Sequence, residues 1–106
     1  MAVFYKVLIF CASLLGGLYE EAIKSIVAGQ TVTIPLHDNG MSGILLCYNS
    51  ARGKGAVFLV SNTDITLISG GSSFFFTAVY SANGYVFTCT DTNTSRINNL
   101  RYKWLI

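Results

Sequence analysis

A chain of 106 residues, 52% hydrophobic and only 11% charged, holds enough apolar matter for one small core and one domain. Its formal net charge is +2, and its Lys, Arg, Asp and Glu are scattered rather than run together, so no polyanion footprint is visible and nucleic acid is not an expected partner. After the first residues every apolar stretch is interrupted by charges or by Gly and Ser, which excludes a membrane span of roughly 20 residues in the mature chain.

The chain opens with MAVFYKVLIFCASLLGG. Lys6 precedes an apolar stretch from Val7 to Leu15, and small residues follow, which is the layout of a secretory signal peptide over residues 1–17. A buried core helix has a similar pattern. Cleavage after Ser13 or after Gly17 both fit. Removal of this segment takes Cys11 with it and leaves Cys47 and Cys89. In an oxidising compartment two thiols are most simply one disulfide, although pairing of either with another chain is the alternative. A Cys47–Cys89 bridge would close a loop of about 40 residues and contribute on the order of 4 kcal/mol in the chain-entropy picture. The expected location is therefore outside the cell or in the endoplasmic reticulum lumen.

Beyond the leader, EEAIKSIVAG reads as an irregular first strand, with a helical turn as the competing reading. QTVTIPL alternates Val32, Ile34 and Leu36 against Thr31, Thr33 and Pro35, which predicts a strand with one buried face. Pro35 cannot donate to a ladder, so this strand belongs at an edge or bends there. Asp38 to Gly40 is turn chemistry. GILLCYN is a continuous apolar run, expected to be a strand buried on both faces, and AVFLVS follows it across the glycine-rich loop SARGKG.

DITLIS sets Ile65, Leu67 and Ser69 against Thr66 and Ile68, and FFFTAVY resumes the rhythm after GGSS. YVFTCT places Tyr85, Phe87 and Cys89 on one face. LRYKWLI places Leu100, Tyr102, Trp104 and Ile106 opposite Arg101 and Lys103. About seven strands with turns every 8 to 12 residues predict an antiparallel all-β sandwich or barrel over residues 18–106. Immunoglobulin markers are imperfect. Phe87 stands two residues before Cys89, where a corner tyrosine would be, Cys47 is on the third strand, and the single Trp104 is on the last. Asn83-Gly84 also suits a tight hairpin, whereas an immunoglobulin topology would need that connection to cross between sheets.

Chemistry is thinly signalled. His37 is the only histidine and its neighbour Asp38 would point to the opposite face, so a turn role is expected and no catalytic residue is assigned. One His and two separated Cys lack zinc spacing, and Gly53-Lys54-Gly55 lacks the phosphate-loop frame. No cofactor or metal is expected. Arg52 and Lys54 mark a hairpin tip that could serve as a contact loop. Asn93 with Thr94 and Ser95 forms a glycosylation sequon between the last two strands, and a glycan there would shield one end of the sandwich.

The segments LYEEAIKSIVAGQTVTI and YVFTCTDTNTSRINNLRYKWLI resemble the immunoglobulin-like ectodomain of coronavirus accessory protein 7a, with its Leu-Tyr start and late aromatic-x-Phe-x-Cys-x-Asp strand. LLCYNSARGKGAVFLVS is similar to the centre of coronavirus accessory protein 8, where a basic turn joins two apolar strands. Both relatives carry more cysteines, and only Cys89 matches clearly, so no pairing of Cys47 carries over. The resemblance implies an immunoglobulin-like, secreted accessory glycoprotein that acts by contacting host proteins, not an enzyme. The alternative is a self-associating β-protein or the ectodomain of a membrane protein; FFFTAVY, with more adjacent aromatics than one buried face needs, is the cue for a homo-oligomer.

Overall fold

The computed structural model describes residues 19–36, 42–61 and 63–105. The predicted signal peptide, His37 and Asp38 lie outside the described residues. Among the described residues the chain forms eight strands: β1 (Glu20–Ile26), β2 (Thr31–Ile34), β3 (Ser42–Asn49), β4 (Lys54–Ser61), β5 (Asp64–Ser69), β6 (Phe76–Ser81), β7 (Gly84–Cys89) and β8 (Asn98–Trp104). They build two antiparallel sheets, ordered β1-β8-β3-β4-β5 and β2-β7-β6. The expected all-β, two-sheet architecture is therefore present.

Alternation explains which side chains meet. Leu45 and Cys47 on β3, Ala56, Phe58 and Val60 on β4, and Leu100 and Tyr102 on β8 are buried on the inner face of the larger sheet. Ile34, Phe76, Tyr85, Phe87 and Cys89 answer them from the smaller one. Aromatic rings fill the space between: Phe87 stands edge-on to Phe58 at 5.4 Å, and Phe74 packs on Phe76 at 5.4 Å and on Phe58 at 6.2 Å. Such offset and edge-to-face pairs add to the burial of each ring.

Several expectations change in detail. The first strand is irregular as expected, with register shifts between Glu21 and Ile23 and between Ile23 and Ile26. β2 is an edge strand that ends just before Pro35, which cannot extend the ladder. β3 is not buried on both faces, because the outward Ile44, Leu46 and Tyr48 are only half-buried. FFFTAVY does not run as one strand. Ser72–Phe74 forms a 3-10 turn, Phe75 takes a left-handed φ of 68°, and the strand starts at Phe76. That turn sends Phe74 and Phe76 both into the core, which an uninterrupted strand also allows, and points Phe75 elsewhere. β6 and β7 are joined as a hairpin within one sheet, with Ser81 opposite Gly84, so the Asn83-Gly84 connection does not cross.

The two cysteines lie in different sheets and both remain buried free thiols, not at disulfide distance. The intrachain bridge expected between Cys47 and Cys89 is absent from this structure. A disulfide needs its Cβ atoms about 3.5–4.5 Å apart. Cys47 sits between Ala56 and Tyr102 in the larger sheet and Cys89 opposite Phe76 in the smaller, on strands that do not bring the two sulfurs within bonding reach.

Candidate functional site

One end of the sandwich is organised by a buried polar chain. β7 leads into Asp91, which is 2% exposed, and a turn returns the chain to β8 through Arg96. The Arg96 Nε and Nη2 groups donate to the two Asp91 carboxylate oxygens at 2.7 Å each. The Asn98 amide donates to Asp91 at 3.0 Å, and the Asn49 amide donates to Asn98 at 2.9 Å and to the Phe74 carbonyl at 3.1 Å. Buried polar groups of this kind are tolerable only when each finds a partner. The Arg96 guanidinium also lies over the Phe75 ring, 5.1 Å from its centre, which is where the turned-out middle phenylalanine goes.

Hydrogen bonding to Arg96, with help from Asn98 and the Asn93 N–H, holds the Asp91 carboxyl well below the usual carboxylate range against the opposing effect of burial. Its folded value is depressed, so the stability it contributes is complete above its unfolded value near 4 and drains as the pH falls below that toward the folded value. Thermal unfolding followed from about pH 6 down to pH 2 is expected to show wild type losing its advantage over Arg96→Gln below about pH 4. A constant gap across that range would remove the role assigned to the pair.

The predicted sequon hangs on this network. Asn93 is exposed, its N–H donates to Asp91 at 3.0 Å, and its side-chain oxygen accepts from the Ser95 N–H and Oγ at 3.1 and 3.0 Å. Its carbonyl is thus occupied locally while the exposed residue presents its amide nitrogen, the atom that would carry a sugar.

The predicted contact loop lies at the same end. The Ser50 and Ala51 N–H groups donate to Asn99, and Arg52 reaches the Ile97 carbonyl at 3.4 Å. Arg52 is therefore half-folded onto the β8 approach, whereas Lys54, the first residue of β4, is exposed. A glycan on Asn93 would stand at this same end of the sandwich. The sequence placed a basic tip and a sugar site about forty residues apart without showing that they share one end of the sandwich, since only the tertiary fold decides that.

The surface that sequence reasoning missed is the outer face of the larger sheet. Ile44, Leu46 and Tyr48 on β3 lie opposite Leu59, Val57 and Gly55 on β4, and form an apolar stripe that is half-buried to exposed. An open groove of about 540 Å³ is lined there by Tyr19, Leu46, Tyr48, Val57 and Ser69, with Tyr19 and Tyr48 6.2 Å apart. Burial raises the Tyr19 hydroxyl above its ordinary value, so the phenol is neutral at physiological pH. Unbroken hydrophobicity on both faces of β3 was the available signal. It was read as double burial, whereas no layer covers this face among the described residues.

Cys47 borders this groove but is only 2% exposed, and burial pushes its thiol well above the ordinary cysteine range. Reactivity needs thiolate and access. Neither Cys47 nor Cys89 is expected to react with a thiol reagent in native protein at neutral pH, and both are expected to react in denaturant. Rapid native labelling, or no labelling of denatured unreduced protein, would contradict the buried free-thiol geometry. Among the described residues no group of three His, Cys, Asp or Glu side chains comes together to hold a metal, and no helix is long and apolar enough to cross a membrane. Comparisons with family profiles, curated proteins and solved structures find nothing that matches this chain.

Proposed function

We propose that this chain is a secreted, immunoglobulin-like contact module, a viral accessory glycoprotein that binds host proteins rather than an enzyme. The observation that carries the reading is the apolar outer face of the five-stranded sheet, where Leu46, Tyr48 and Val57 line the groove half-buried and Leu59 stands exposed on the same face. Apolar surface of this kind favours association because water leaves it on contact. The charged loop at Arg52 and Lys54 is the less favoured surface, since a sugar on Asn93 would stand at the same end of the sandwich.

The immunoglobulin-like assignment is supported by strand order. With β2, β7 and β6 taken as strands B, E and D, the strands β8, β3, β4 and β5 follow as F, C, C′ and C″ of a variable-type domain, and β1 occupies the place beside F. This alignment also accounts for the missing bridge. Immunoglobulin domains tie their sheets through cysteines on B and F, whereas Cys47 and Cys89 here stand on the C and E strands. Cys89 resembled the F-strand cysteine in local sequence only, and the Asn83-Gly84 connection is the D–E hairpin, which stays within one sheet, rather than the crossing E–F connection.

Secretion rests on the leader and the sequon. Protein recovered from the medium of expressing cells is expected to begin after Ser13 or Gly17 and to lose mass on glycosidase treatment, with Asn93→Gln abolishing that loss. Export with an intact Met1 removes the signal peptide, and an unchanged mass removes the glycan. Binding is tested by display of the glycosylated chain against host extracellular proteins. A specific partner lost with Leu59→Glu and retained with Lys54→Glu supports the sheet face. Equal retention by both variants, or no specific partner from folded protein, overturns it.

A further inference from the structure

The four edge strands of the sandwich are unequally protected against pairing with another strand. β1 carries Glu20, Glu21 and Lys24 and two register irregularities, and β2 has only four residues and stops at Pro35. Charges, irregularity, brevity and proline are the usual devices that keep an edge from acting as a template. β5 has one register shift, which leaves Ile68 as an extra residue against β4, and from Asp64 to Leu67 its pairing is regular. Asp64–Ser69 contains one charge, at its first residue, no proline, and two large apolar side chains, Leu67 and Ile68, that are 50% and 56% exposed. Leu59, beside it on β4, is 45% exposed. β6 lies on the same flank and is also uncharged.

The register of β5 fixes what its free edge offers. Ser61 pairs with Asp64 across a connection of two residues, and the closing pair of such a hairpin exchanges both of its hydrogen bonds. In an antiparallel ladder, bonded and non-bonded pairs alternate. Asp64 and Thr66 therefore direct their N–H and C=O groups toward β4, and Ile65 and Leu67 direct theirs away from it, toward the open edge.

We propose that this edge is a homodimer interface, in which β5 of one copy pairs antiparallel with β5 of a second about a two-fold axis at Thr66. Ile65 of each copy then stands opposite Leu67 of the other, and these are the residues whose backbone groups point outward. About four intermolecular hydrogen bonds form. The match follows from self-complementarity, because a two-fold operation places the same surface on both sides.

The side chains agree with the backbone. Ile65 and Leu67 face Val60 and Phe58 across β4, so they lie on the inner side of the sheet, and the pairing sets an apolar residue against an apolar residue across the new seam. Thr66 faces Leu59 on the outer side and meets its own counterpart. The two Asp64 carboxylates are offset by about 13 Å along the strands, at 3.3 Å per residue, so like charges do not meet. The result extends the five-stranded sheet through the axis. A second copy is the occupant this edge fits, because the chain itself supplies the Ile-x-Leu of Ile65 and Leu67 in matching register.

The test uses purified full chain without any host protein, so its outcome is separate from that of the host-binding reading. Sedimentation over a concentration series is expected to show a monomer–dimer equilibrium with a Kd on the order of 1–100 µM. Thr66→Arg, which sets two guanidinium groups against each other on an exposed position, is expected to weaken it about tenfold or more. Leu67→Pro removes an outward donor while sparing the bonds to β4, and is expected to do the same.

Cross-linking reads the register directly. Thr66 would form a non-bonded pair with its counterpart, with Cα atoms about 4.5 Å apart, inside the range a disulfide accepts. Thr66→Cys is expected to give covalent dimer on mild oxidation, and Val79→Cys on β6 is not. A monomer at every concentration overturns the proposal, as does a dimer indifferent to both Thr66→Arg and Leu67→Pro. Cross-linking through Val79→Cys in place of Thr66→Cys overturns it as well.

Discussion

Phe87→Ala is expected to lower the free energy of unfolding by about 3–5 kcal/mol, the range for truncating a buried phenylalanine. Phe87 is fully buried on the central strand of the smaller sheet, with Val32 and Ala78 as its cross-strand neighbours. Neither neighbour is large enough to collapse into the space, and the ring also loses its edge-on contact with Phe58. For a domain whose total stability is about 5–15 kcal/mol, that loss is a large fraction. Urea unfolding should show a lower midpoint with an unchanged slope. A shift under about 1 kcal/mol would mean that the sheets do not meet at this ring.

Gly84→Ala is expected to cost about 2–4 kcal/mol, from backbone strain and overpacking together. Gly84 has a φ of +146°, which L side chains rarely adopt, and a Cβ there would stand 2.2 Å from the Ile34 carbonyl oxygen and 2.9 Å from the Thr33 methyl. That oxygen belongs to β2, so relief requires β2 to move away from β7. A strand of four residues has little else to hold it. Gly53→Ala is the informative contrast. Gly53 also has a positive φ, +66°, but nothing lies within 4 Å of its Cβ position, so only the strain remains, at about 1 kcal/mol. Equal melting temperatures for the two variants would show that the close approach of β2 to Gly84 is wrong.

Both substitutions act on the smaller sheet or its turns, whereas the proposed contact surface is on the outer side of the larger one. A binding defect from Leu59→Glu with an unchanged unfolding midpoint would therefore be a surface effect. The same defect in Phe87→Ala would follow from partial unfolding.

Strand positions were legible because alternation in a strand writes its face directly into the sequence. Tyr85, Phe87 and Cys89 were expected on one face and are all buried. Leu100 and Tyr102 were likewise expected together and are buried, with Trp104 half-buried beside them. The turn at Phe75 was not legible, because its left-handed backbone is stabilised by packing of Phe74 and Phe76 and by the Arg96 guanidinium, a residue twenty-one positions away. The polar chain from Asn49 through Asn98 to Asp91 and Arg96 gave no sequence pattern either. Its members are ordinary strand-end and loop residues until the fold brings them within hydrogen-bond distance.

By itself the sequence determined an all-β domain, the phase of most strands and a sequon between the last two, because period-two patterning and turn chemistry act over a few residues. The tertiary structure alone decided that Cys47 and Cys89 stand apart in different sheets, that the basic loop and the sequon share one end, and that β3 and β5 leave apolar surface uncovered. Local patterning tells which residues can be buried, and only the order of strands within the sheets tells which of them has something packed against it.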